Sequence, residues 1–153
     1  RMIGWAKPVP VNPLYFKNPR KGMLWVALAG PATNMVLALC SALFYIGFYN
    51  TTLLTDSFWW SLKTPLLKMS EVSIYLNVGL AIFNFIPIPP LDGGRILVGI
   101  LPERQALSYA QIEPYGFIIL ILLLITNVVD YVVFPVIKIV VGLILVFANL
   151  LVG

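Results

Sequence analysis

NFIPIPPLDGGR, residues 84–95, ends an apolar run with three prolines, one carboxylate and two glycines. Pro87, Pro89 and Pro90 carry no backbone N–H and fix φ, so a helix running into them stops. Backbone that leaves the helix at membrane depth is tolerated only inside protein or against a water-filled cavity. Asp92, placed directly after such a break, has two readings. It caps a short helix beginning at Gly93, a frequent use of aspartate. Or it faces a polar cavity and binds a cation, since an ionisable group in a membrane segment points to a functional site. One carboxylate can do both, and these residues alone do not choose between them.

The surrounding chain puts the stretch in a bilayer. Of 153 residues, 60% are hydrophobic and 10% charged, with a mean hydropathy of +0.95, whereas soluble domains carry about 25% charged residues. Residues 23–49, MLWVALAGPATNMVLALCSALFYIGFY, are long enough to cross a membrane with some tilt. A second span is expected over 71–87, ended by Pro87, with the LDGG turn and a short helix over 88–104. The apolar tail is too long for one span of about 20 residues. Thr126, Asn127, Asp130 and Pro135 predict a break there, giving a short third span over 115–129 and a fourth over 135–152. Residues 1–22 hold four prolines and read as an extended loop. A polar loop rimmed by Phe58, Trp59 and Trp60 is expected between the first two spans. The fold class is therefore all-α: one membrane domain over 1–153, a polytopic bundle of about four transmembrane helices.

Charge and cysteine usage narrow the function. The net charge of +4 does not indicate nucleic acid, because the basic residues lie between apolar runs and not in one stripe. Arg1, Lys7, Lys17, Arg20 and Lys21 precede the first span, and Arg95 and Arg104 follow the second. That bias predicts the N-terminal loop and the LDGG turn on the cytoplasmic side. Cys40, the single cysteine, has no disulfide partner and reads as a small residue filling a helix. The first residues lack the apolar region of a signal peptide.

Other polar groups have competing readings. Asn84, one turn before Pro87, is a site residue or interhelical glue, and glue is the reading for Asn77. AGPATN, residues 29–34, sets Gly30, Asn34, Ala38 and Ala42 four apart, a small-residue packing face kinked at Pro31. AKPVPVNP, residues 6–13, is an edge that could pair with an extended peptide, or an interfacial loop. Arg95 pairs with Asp92 or rests at the interface, and snorkelling accounts for Asp130, Lys138 and Asn149.

Taken together, these motifs resemble a known family. NFIPIPPLDGGR resembles the second active-site motif of the site-2 proteases, intramembrane zinc metallopeptidases. AGPATN looks like the helix motif that precedes it there. GWAKPVPVNP (4–13), NPRKGM (18–23) and IEPYGFIILILLLI (112–125) are similar to the compact bacterial branch without a PDZ domain, so the likeness covers nearly the whole chain. The resemblance implies one zinc ion, held by two histidines of an HExxH helix and by the aspartate that corresponds to Asp92. It implies that Asn84 positions substrate or steadies a developing oxyanion. Pro8, Val9, Pro10, Val11 and Asn12 would hold an unwound transmembrane substrate as a strand. Gly30, Pro31, Asn34, Pro87, Pro90, Gly93 and Gly94 would shape the site. It also implies a multi-pass protein of a bacterial inner membrane, with zinc polarising the scissile carbonyl and acidifying a bound water.

The sequence departs from that pattern in one respect: it contains no histidine. A catalytic zinc takes about three protein ligands, so Asp92 alone cannot hold one. The expectation is a fragment opening mid-loop at Arg1, inactive by itself, with the HExxH helix upstream. The competing expectation is a non-catalytic membrane module that binds transmembrane segments. A small transporter or channel subunit would need a second charged intramembrane group, and only Arg95 lies nearby. Assembly with further copies of the chain is left open.

Overall fold

The computed structural model describes residues 11–12, 15–51 and 57–152, with backbone only at 57–59 and 128–130. Its regular structure is α-helix, with six helices among the described residues. The first, α1, runs over Pro19–Asn50. Its start falls inside the region expected as loop: the Asn18 side chain accepts from the Lys21 N–H at 3.2 Å, with Pro19 at the first helical position. That pairing of cap and proline suits a helix start because proline lacks a donor the first turn could not use.

The second helix, α2, covers Ser57–Asn84 and passes through Pro65. The expected span over 71–87 is its C-terminal part, and Phe58, Trp59 and Trp60, expected to rim a polar loop, lie in its first turn. Lys63 accounts for the polarity there: its ammonium donates to the Tyr49 and Thr51 carbonyls, each at 3.1 Å. A cation over the open end of α1 satisfies carbonyls that have no helical partner.

After the proline turn, α3 spans Asp92–Ile100, α4 Glu103–Ala110 and α5 Glu113–Ile125. The helix α4 lies beyond the short helix that the sequence suggested. The last helix, α6, covers Val128–Val152 and contains Pro135, so the break lies before Val128. There Asn127 takes φ 55°, the left-handed conformation in which asparagine commonly ends a helix.

The core is a seam of three helices. Ala38, Ala42 and Ile46 of α1 pack with Ile74 and Val78 of α2 and Val141 and Ala148 of α6. Small residues let the helices approach where lipid supplies no hydrophobic drive. Across the same contact the Ser41 and Ser73 hydroxyls meet at 2.8 Å, and Asn77 donates to the Ser73 carbonyl at 2.8 Å. Asn77 thus belongs to a polar link between α1 and α2.

The four-residue spacing from Gly30 to Ala42 does not form one face. An α-helix turns about 100° per residue, so Gly30 and Ala42 point about 120° apart. Ala38 and Ala42 are fully buried in the three-helix seam, while Gly30 is exposed and adjoins α3. Pro31 is fully buried within α1.

Three stretches are long and apolar enough to cross a membrane: Pro19–Asn50, Trp60–Asn84 and Tyr131–Val152. The pair α4 and α5, bent by 63°, makes up to a fourth. With 13 residues, α5 alone reaches about 20 Å at 1.5 Å per residue, short of a hydrocarbon core of about 30 Å. The protein is an all-α membrane bundle.

Candidate metal centre

The proline turn solves a donor problem before it builds a site. Between Phe85 and Leu91 every residue that owns an N–H uses it: Phe85 to Ala81 O, Ile86 to Phe83 O, Ile88 to Ile86 O and Leu91 to Ile88 O, at 2.8–3.1 Å. Pro87, Pro89 and Pro90 have no N–H to satisfy. The chain therefore leaves the helix without stranding a donor, which the membrane interior demands. The Pro87 carbonyl in turn accepts from the Tyr109 hydroxyl of α4. Pro89 is buried, and its peptide bond to Pro90 is cis.

Gly93 and Gly94 let α3 sit on this turn, backbone against backbone. A Cβ at Gly93 would run into the carbonyl oxygens of Phe85 and Ile86, and one at Gly94 would lie 2.8 Å from Pro89 N. Gly116 of α5 meets the Pro89 carbonyl in the same way, with no room for a Cβ. The contact between Gly93 and Phe85 brings their preceding neighbours, Asp92 and Asn84, onto adjoining backbone. Asn84 is the last residue of α2 and Asp92 the first of α3.

Asp92 is half-buried in the first turn of α3, but Leu91 is the N-cap and makes no side-chain capping bond. The capping reading of Asp92 is thus not realised. Its carboxylate points at α1, where a Cβ on Gly30 would lie 3.0 Å from Oδ2. No larger residue at position 30 would leave the carboxylate where it is. Among the described residues Asp92 makes no ion pair: Arg95 is exposed and not joined to it, and Lys68 with Glu71 is the ion pair found there. Asn34, one turn along α1 from Gly30, is half-buried.

The donor set is incomplete. Among the described residues no three histidine, cysteine, aspartate or glutamate side chains gather where they could hold a metal ion. Asp92 offers one oxygen ligand on a rigid seat, and these residues alone do not make a zinc site. Pro8, Val9 and Pro10 of the expected substrate strand lie outside the described residues, while Val11 and Asn12 are exposed.

Sequence reading passed over several residues that shape this region. Arg20 of α1 donates through Nε and Nη2 to the Val98 carbonyl of α3, at 3.1 and 3.0 Å. A cavity of about 400 Å³ opens beside it, lined by Met23, Pro90, Arg95, Val98 and Glu113 among others. Asp92 is not part of its lining. Arg20 had counted as an orienting charge and as one letter of NPRKGM, with no role of its own.

Known proteins share much of this sequence. The family model for peptidase family M50 matches residues 8–126. YwhC of Bacillus subtilis, named as a candidate zinc metalloprotease, is 37% identical over 136 residues, which is 87% of this chain and 59% of YwhC. Rip2 of Mycolicibacterium smegmatis, named likewise, is 35% identical over 102 residues, 66% of this chain and 35% of Rip2. The chain thus spans little more than half of YwhC and about a third of Rip2. No solved structure is a significant match.

Proposed function

Because the chain belongs to peptidase family M50, we propose that it is part of a membrane-embedded zinc metalloendopeptidase that cleaves transmembrane protein segments. In this reading Asp92 is one zinc ligand. The histidine ligands come from an HExxH helix outside the chain, consistent with its coverage of 59% of YwhC. Zinc, when bound, supplies a Lewis acid and an acidified water. The chain's own residues supply position. The double glycine presses α3 onto the proline turn, and Gly30 leaves the carboxylate oxygen its place against α1. Asn84, at the end of α2, holds the substrate main chain or the oxyanion. Pro8, Val9, Pro10, Val11 and Asn12 receive the unwound segment as a strand, and the LDGG side faces the cytoplasm.

The observation that carries this reading is the carboxylate of Asp92, seated at a helix start with neither a cap bond nor an ion pair among the described residues. A buried or half-buried charge without partners costs free energy unless something compensates it, and a cation would. The test is cleavage of a transmembrane reporter by the full-length protein and its Asp92→Asn variant. Loss of cleavage together with bound zinc is expected. Full activity in the variant would remove Asp92 from the site. The absence of histidine supports a second reading, a non-catalytic module binding transmembrane segments. That reading predicts stable substrate capture with no zinc in the full-length protein.

A further inference from the structure

We propose that Arg20 is a positioning residue for Asp92, pinning the far half of α3 to α1 and so fixing where the carboxylate points. The proposal rests on the reading of Asp92 as a zinc ligand. Two groups of contacts join the helices. At one end Gly30 adjoins Asp92 Oδ2. At the other, the Arg20 guanidinium grips the Val98 carbonyl with two donors at 3.1 and 3.0 Å. There too Leu24 lies so close to Gly99 that a Cβ would fall 2.9 Å from Leu24 Cβ. Low numbers on α1 meet high numbers on α3, so the two helices run antiparallel and are held at both ends.

The distal clamp matters because α3 is short. Its nine residues make about 13 Å of helix, and a side-chain oxygen stands about 5 Å from the axis. A rotation of α3 by about 10° then carries the carboxylate about 1 Å, well beyond the ~0.2 Å that metal–ligand distances tolerate. Val98 O is held from two nitrogens of one planar fork, which restrains this end of α3 against α1. A lysine ammonium offers a point charge without that fork.

The test uses the full-length protein in detergent and reads zinc affinity by competition with a chelator, without any need for turnover. Asp92→Asn calibrates the ligand reading and should lose zinc. Arg20→Ala should bind zinc at least about tenfold more weakly, the loss typical when support of a ligand is removed. Arg20→Lys should fall between. Unchanged affinity in Arg20→Ala, with Asp92→Asn deficient, would overturn the proposal. Normal zinc in Asp92→Asn would instead remove the ligand reading itself, and this proposal with it.

Discussion

Gly30→Ala separates stability from site geometry. Gly30 is exposed within a 32-residue helix, where alanine is favoured over glycine by about 1 kcal/mol. Among the described residues, and apart from the backbone of its own helix, the new methyl meets only Asp92 Oδ2, at 3.0 Å. That contact is a few tenths of an ångström shorter than an ordinary one, so the carboxylate must move by that amount. A half-buried side chain can make the move at small cost, and the helix gain wins. The variant should therefore unfold at an equal or slightly higher temperature, by about 2–4 °C if the full propensity gain is realised. Under the proposed reading of Asp92 as a zinc ligand, a displacement beyond ~0.2 Å leaves it poorly placed, so zinc affinity should drop about tenfold. The assays are a thermal melt in detergent and a chelator titration on the full-length protein. A variant of unchanged zinc affinity would refute the argument that Gly30 keeps this carboxylate in position. A melt lowered by several degrees would refute the argument that the new methyl finds room beside Asp92.

Gly93→Ala tests the turn and not the ligand. Its methyl meets two backbone carbonyls that cannot swing aside, so overpacking should cost about 1–3 kcal/mol, read as a lower melting temperature; a stable variant would contradict the backbone contact. Asn84→Ala should retain zinc while slowing cleavage in the full-length protein, and an unchanged rate would return Asn84 to a structural role. Ser73→Ala removes the hydroxyl that meets Ser41 at 2.8 Å and should cost about 0.6 kcal/mol, a typical value for such a bond between membrane helices. Zinc affinity should stay unchanged in that variant, and a loss would mean that the α1–α2 link reaches the site.

What the sequence made legible follows from what leaves a local mark. Apolar run length identified the membrane helices, and the prolines at 87, 89 and 90 identified the end of α2 within a few residues, because both act through the residue's own backbone. Helix starts were read too late for the same kind of reason. Asn18–Pro19 is a cap signal, but the neighbouring prolines masked it. The stretch around Phe58, Trp59 and Trp60 read as a loop because the carbonyls that the nearby Lys63 satisfies belong to the end of another helix. The four-residue spacing of small residues overstated one shared face, since the turn of the helix divides it between α3 and the three-helix seam. Of the candidate site, Asp92 and its glycines stood out in one short motif. Arg20, Leu24, Gly99 and Gly116 act across the fold, and nothing in their own surroundings announces it.

The most direct test of the central claim is zinc-edge X-ray absorption on the full-length protein and its Asp92→Asn variant. The account predicts a carboxylate oxygen at about 2.0–2.2 Å from zinc beside imidazole nitrogens, and loss of that oxygen, with most of the metal, in the variant. An identical coordination shell and full zinc content in both proteins would contradict it.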